Sequence, residues 1–152
     1  MASPAPLESL DAPAIRTLLA AGHVVVAGGG GGIPVVRGPD GSLRGVEAVV
    51  DKDLAAVVLA RAAGAEALVV ATDVEHAVVG FGTAEARPVG RTTPAELDAL
   101  AAAGHFAAGS MGPKVAAVAA FVRGGGRLAV ITTLSRIDVA LAGDVGTAVH
   151  PA

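Results

Sequence analysis

Three features of the sequence predict an α/β fold, a three-layer αβα sandwich around a mostly parallel sheet. Two segments, ALVVAT (Ala67–Thr72) and RLAVITT (Arg127–Thr133), are apolar almost throughout, as strands are when helices cover both faces. Helical patterns alternate with the strands, and most of them stop at glycine. Alternation of this kind produces βαβ units, with chemistry at the carboxyl ends of the strands.

The elements follow in chain order. Residues 1–9 form a Pro/Ser-rich lead-in, and DAPAIRTLLAAG (Asp11–Gly22) reads as a helix with Asp11 as cap and Ile15, Leu18 and Leu19 on one face. HVVVA (His23–Ala27) reads as a short buried strand running into five glycines. IPVVRGPDGSLRGVEAVV places two extended segments around a Pro-Asp-Gly turn, a hairpin. DKDLAAVVLARAAGA is a helix from about Asp51 to Gly64, and Ala67–Thr72 is a fully buried strand. HAVVGFG and ARPVGR suggest a second small hairpin. In TPAELDALAAAG, Thr93 as cap, Pro94 at the first position and Glu96 three residues on form a capping-box signature. A helix from near Pro113 to Arg123, the RLAVITT strand, a helix in LSRIDVALAG and a closing strand in GTAVHP complete a single domain over residues 1–152.

Composition narrows the chemistry. At 152 residues and 53% hydrophobic the chain can bury a core, yet no apolar run approaches the roughly 18–20 residues of a membrane span. The start, MASPAPLESL, lacks the basic and apolar segments of a secretory leader, and a cytoplasmic protein is expected. No cysteine is present, so disulfides and thiolate metal sites are excluded. A net charge of −3 and only three aromatic residues, Phe81, Phe106 and Phe121, give no footprint for nucleic acid.

Of the eleven cationic side chains only Lys52 and Lys114 are lysines, and both fall in the first turn of an expected helix. The positive end of the helix dipole opposes a cation there by up to about 1 kcal/mol. Two such placements suggest a polyanion such as a triphosphate between ammonium groups and helix N–H donors. Asp51 can cap the helix; Asp53 can favour its positive end, hold a lysine in place or help to place Mg²⁺ near phosphates. The loop VVVAGGGGGIP (Val24–Pro34) lets backbone N–H groups approach an anion closely, or serves as a flexible turn. It is neither a phosphate-binding loop of the Gly-Lys-Ser/Thr type nor a dinucleotide fingerprint, because a hairpin follows it. Thr72 and Asp73, ending a strand, can meet a ribose or base edge, or form an Asx turn. His23, His76, His105 and His150 have no metal-ligand spacing, and nothing has the arrangement of a Ser-His-Asp nucleophile.

Assembled, these residues resemble the C-terminal half of the carbamate kinases, a branch of the amino acid kinase family. The resemblance rests on GGGGIPVV, GVEAVVDKDLAA, ALVVATDVEHAVVGFGT, GHFAAGSMGPKVAA and GTAVHP, in the family's order, and covers nearly the whole chain. It implies a kinase fold in which this half supplies the ATP/ADP site. The implied reaction is reversible phosphoryl transfer between ATP and carbamate, giving carbamoyl phosphate and ADP, in arginine metabolism or purine breakdown. By the resemblance Lys114 would stabilise the transferring phosphoryl group, Lys52 would lie against the nucleotide phosphates and Asp53 would orient the lysines. Thr72, Asp73, Val74, Phe81, Met111 and Gly112 would line the nucleotide pocket, with Mg²⁺ bound through the phosphates. Gly29, Gly30, Gly31 and Gly32 would face the phosphoryl acceptor.

The family's N-terminal half, with another glycine loop, a further phosphate-binding lysine and most of the carbamate site, has no counterpart in this sequence. The expectation is therefore a nucleotide-binding half that is inactive or weak alone, acting as a homodimer or paired with a chain that carries the other half. Two alternatives are a non-catalytic nucleotide-binding module that pairs with a partner chain, and a kinase for another acid substrate such as acetylglutamate or aspartate.

Overall fold

The computed structural model describes residues 1–106 and 110–152; Ala107, Ala108 and Gly109 of the GHFAAGSMGPKVAA stretch lie outside them. The chain divides into two compact units, Met1–Ala63 and Gly64–Ala152.

In the first unit α1 (Ala12–Ala20) packs on α2 (Lys52–Ala63), and Ile15 and Val57 are among the side chains they bury. Arg16 ties the pair by donating to the Ala62 carbonyl at 3.3 Å. Asp11 occupies the cap position of α1 without capping it: its side chain accepts no hydrogen bond there. The expected first hairpin is present, with β1 (Val35–Arg37) antiparallel to β2 (Leu43–Gly45) and Val36 opposite Arg44. Its turn is held by Asp40 Oδ1, which accepts from the Ser42 N–H at 3.1 Å and the Ser42 hydroxyl at 2.6 Å.

The expected buried strand at His23–Ala27 is not formed. Val24 and Val26 are 97% and 96% exposed, and among the described residues no strand pairs with this segment. Apolar composition predicted burial, but burial needs a neighbour, and none of the described elements supplies one.

The second unit is built on a four-stranded sheet in the order β3 (Ala67–Thr72), β7 (Leu128–Thr133), β8 (Thr147–Val149), β6 (Arg91–Thr92). β3 and β7 are parallel, with Thr72 opposite Thr133, and β6 and β8 are parallel. β8 runs antiparallel to β7, so the sheet is mixed. β3 lies at an edge, and for that reason only Val70 of its six residues is buried, against the expectation of complete burial. β7 is interior: Ala129, Val130, Ile131 and Thr132 are all fully buried, so both its faces are covered.

α4 (Met111–Arg123) lies against β7, β3 and β8, and α3 (Pro94–Ala102) packs on α4. On the face that carries Val130, the short α5 (Ile137–Ala140) contributes Ala140 to a cluster with Val145 and Ala148. The expected last helix is therefore shorter than read, a 3-10 turn at Leu134–Arg136 followed by α5. The second hairpin, β4 (Val78–Val79) with β5 (Arg87–Pro88), is formed as expected. The capping box is complete: the Glu96 N–H donates to Thr93 Oγ1 at 3.3 Å, and Glu96 Oε2 accepts from the Thr93 N–H at 2.9 Å. Thr92 adds a hydroxyl to the same oxygen at 2.9 Å, and these bonds hold the Glu96 carboxyl below its ordinary pKa, the Thr92 bond foremost.

Candidate functional site

In the first unit the glycine loop is fitted to the start of α2 by two close approaches. Gly31 has φ +127°, and a Cβ there would collide with the Val50 carbonyl oxygen. Gly28 has φ +79°, and a Cβ would fall 2.7 Å from the Leu59 side chain. Only glycine allows both the backbone angles and the approach. Gly29, Gly30 and Gly32, by contrast, face open space. The result is a small cleft of about 70 Å³ whose lining includes Gly29, Gly31, Lys52, Ala55, Ala56 and Leu59.

Asp51 organises the helix side of this cleft. Its Oδ1 accepts from the Asp53 N–H at 2.8 Å and the Leu54 N–H at 3.1 Å, as a cap should. The Ala55 N–H closes the first helical bond onto the Asp51 carbonyl at 2.9 Å. Asp51 thus occupies two of the N-terminal donors, and the exposed Lys52 stands at the same helix end in the lining of the cleft. Asp53 is buried at 7% exposure, one residue inside the helix. A cleft lined by glycines and by a lysine at a helix N-terminus suits a small anion such as a phosphoryl oxygen.

The second group of sequence-derived residues belongs to the second unit. Thr72 ends β3 and donates its hydroxyl to Asp73 Oδ1 at 3.1 Å; Asp73 and Val74 lie open to solvent beyond it. Strand register brings Thr133 alongside Thr72 at the same end of the sheet. α4 leads into β7 through the Gly124–Gly126 turn and therefore runs back along it. At thirteen and six residues both elements span about 20 Å, which returns the N-terminal turn of α4 to the end where β3 and β7 finish. Met111, Gly112 and Lys114 all lie in that turn or at its close.

α4 starts two residues before the expected Pro113, so Lys114 is its fourth residue. Ser110 gives no side-chain cap, and Lys114 is buried at 9% exposure. Phe81 stands at the tip of the β4–β5 hairpin, 80% exposed. The Thr83 N–H and hydroxyl close that tip onto the Gly80 carbonyl at 3.0 and 2.7 Å.

The residues from the sequence reading thus fall into two sets, Gly29–Gly32 with Lys52 and Asp53 in one unit, and Thr72, Asp73, Val74, Phe81, Met111, Gly112 and Lys114 in the other. Sequence reading overlooked Ala55, Ala56 and Leu59, although positions 52, 55, 56 and 59 share one helix face by their spacing alone. It also overlooked Thr147, whose fully buried hydroxyl bonds both feet of the Phe81 hairpin, and no local signal marks that role.

The model of the amino acid kinase family matches residues 2–133. The chain belongs to the amino acid kinase family. Within it, the carbamate kinase of Thermoplasma volcanium is 44% identical over 149 residues, which cover 98% of this chain and 48% of that protein. The carbamate kinase of an Escherichia coli O6:H1 strain is 48% identical over the same coverage. Among solved structures, the carbamate kinase from Giardia lamblia bound to AMP-PNP superposes with a TM-score of 0.94 at 39% identity, covering 99% of this chain and 52% of that one. The chain spans about half the length of the curated relatives it matches. N-acetylglutamate synthase from Neisseria gonorrhoeae, at 22% identity and a TM-score of 0.61, shares the fold alone. This amino acid kinase chain has the α/β architecture of the carbamate kinases.

Proposed function

We propose that this chain is the nucleotide-binding part of a carbamate kinase-type phosphotransferase. The observation that carries the reading is its similarity, at 44–48% identity across 98% of its length, to proteins named carbamate kinase. Support comes from the solved relative bound to AMP-PNP and from the anion-sized cleft at Lys52.

In the reaction a carbamate oxygen forms a bond to the γ-phosphorus of ATP as the bond to the ADP oxygen breaks; the reverse makes ATP. Little covalent work falls to the protein, which positions the groups and neutralises charge on the transferring phosphoryl. Lys114 stabilises that group, and its burial strengthens a charge that bulk water would screen. Lys52 lies against the nucleotide phosphates, and Asp53 orients the lysines. Thr72, Asp73, Val74, Phe81, Met111 and Gly112 line the nucleotide pocket, and Gly29–Gly32 face the acceptor. Mg²⁺ comes to the site bound through the nucleotide phosphates. No described helix is long and apolar enough to cross a membrane, and we place the protein in the cytoplasm.

Thermal-shift titration with ADP, ATP and Mg²⁺ tests the reading, because a ligand that binds the folded state raises its melting temperature by mass action. Stabilisation by ADP is expected, and it should be lost in Lys114→Ala. No shift at millimolar nucleotide, together with no ATP formed from carbamoyl phosphate and ADP, would overturn it. A second reading is favoured by the half-length match: a nucleotide-binding module that works only when paired with another chain, as a homodimer or with a complementary polypeptide. It predicts the ADP shift without turnover by the chain alone.

A further inference from the structure

The turn of the β1–β2 hairpin carries a reactive pair that phosphoryl transfer does not use. Asp40 is followed by Gly41, and no other aspartate of the chain precedes a glycine. Asparagine is absent altogether. An aspartate before glycine is open to attack on its side-chain carboxyl by the next main-chain nitrogen, because glycine has no Cβ to hinder the approach. Asp40, Gly41 and Ser42 are all exposed.

The folded turn holds both reacting groups. The Gly41 N–H donates to the Gly38 carbonyl at 3.0 Å, with Pro39 and Asp40 as the corner residues between them. Asp40 Oδ1 accepts the Ser42 hydroxyl at 2.6 Å and the Ser42 N–H at 3.1 Å. These bonds, the Ser42 hydroxyl foremost, hold the Asp40 carboxyl below its ordinary pKa and keep it ionised, the form a nitrogen attacks least readily. Gly38 closes the arrangement: a Cβ there would fall 2.7 Å from Asp40 Oδ1 and 2.9 Å from Ser42 Oγ.

We infer that Asp40–Gly41 is the site at which this chain isomerises to isoaspartate, and that Ser42 restrains the reaction in the folded hairpin. The Gly41 nitrogen bonds to Asp40 Cγ and gives up its proton, and one carboxyl oxygen leaves as water, closing a five-membered succinimide. Water then opens the ring at the Asp40 main-chain carbonyl. The chain now continues through the side-chain carboxyl, and the former main-chain carbonyl is a free carboxylate. Water is the only reactant, and the product has the mass of the parent with one more main-chain atom in the turn. Among the described residues β1 and β2 pair only with each other, so the change stays within the hairpin. Its exposed carboxylate is a substrate for a carboxyl methyltransferase that uses S-adenosylmethionine.

The test compares the folded chain with a synthetic peptide of residues 38–44, the piece that trypsin releases between Arg37 and Arg44. Both are aged at neutral pH. Isoaspartate is counted as a second chromatographic peak of equal mass and by methyl transfer from an isoaspartate carboxyl methyltransferase. In the chain it should form at Asp40 alone, slower than in the peptide by roughly tenfold or more, because two hydrogen bonds must open first. Ser42→Ala and Gly38→Ala should each raise the rate severalfold toward that of the peptide, with the circular dichroism spectrum unchanged. Asp40→Glu should remove the second peak, since its ring would need six members. Equal rates in chain and peptide, isoaspartate at another aspartate, or a Ser42→Ala chain as slow as the parent would each overturn the proposal.

Discussion

The Thr147 hydroxyl donates to the Val89 carbonyl at 2.6 Å and is fully buried. The same oxygen accepts the Ala77 N–H at 2.9 Å, so one side chain of β8 holds the segments that enter and leave the Phe81 hairpin. Thr147→Val should leave the buried Ala77 N–H unpaired and cost about 1–3 kcal/mol in urea unfolding. Amides of residues 77–89 should exchange faster than those of β7, and Thr147→Ser should restore both. Unchanged exchange in the hairpin would show that other contacts hold it.

Two neighbouring glycines should respond differently to the same change. Gly31→Ala forces a side chain into φ +127° and against the Val50 carbonyl, and should cost roughly 2 kcal/mol or more. Gly30→Ala enters open space at an ordinary φ and should stay within about 0.5 kcal/mol of the parent. Equal effects in chemical denaturation would mean that the loop does not sit against α2 in solution.

Lys114→Arg keeps the charge of the buried cation but replaces a compact ammonium with a planar fork. Carbamoyl-phosphate-dependent ATP formation by the chain with its complementary half should fall by roughly tenfold or more, the consequence of about 1.4 kcal/mol lost at the transition state. ADP affinity in the thermal-shift titration should change less. Turnover close to that of the parent would remove Lys114 from the proposed role.

Two titrating groups give the fold a sensitivity to acid. Burial, with the nearby Arg91 charge as a lesser cause, pushes the His150 imidazole below its ordinary value of 6.5. Among the described residues its buried Nε2 has no hydrogen-bond partner, which disfavours the charged form. A depressed folded-state pKa means that the stabilisation is full above pH 6.5 and is lost as pH falls from there through the folded value. His150→Gln should flatten the decline of melting temperature below pH 6.5. Glu96, also depressed, adds a second decline that begins below its ordinary 4.5, and Glu96→Gln should remove that one. A melting temperature independent of pH from 7 to about 4 would contradict both.

What could be read from the sequence was whatever depends on near neighbours. The Thr93–Glu96 box and the Asp40 turn are local hydrogen-bond chemistry, and both formed where expected. The boundaries of β3 matched because its apolar run is bounded by turn residues on either side. Pro113 misplaced the start of α4: proline favours a first turn, but here it stands third, after Met111 and Gly112. Asp51 was read correctly as a cap, yet its capture of two N–H groups, which leaves fewer for an anion, needed the geometry. The exposure of Val24 and Val26, the edge position of β3 and the antiparallel pairing of β8 with β7 depend on residues far along the chain. No local pattern encodes them.

The strand order has a consequence for the ribosome. β8, the last strand in chain order, lies between β7 and β6 and is the sheet neighbour that β6 pairs with. Arg91 and Thr92 are therefore made more than fifty residues before their partners, Ala148 and Val149. While β7 can join β3 during synthesis, β6 and the hairpin clamped by Thr147 must wait until residues 147–149 have been made. Pairing between such distant segments is slow to form. The sheet therefore grows from its β3–β7 side, and β6 joins it last.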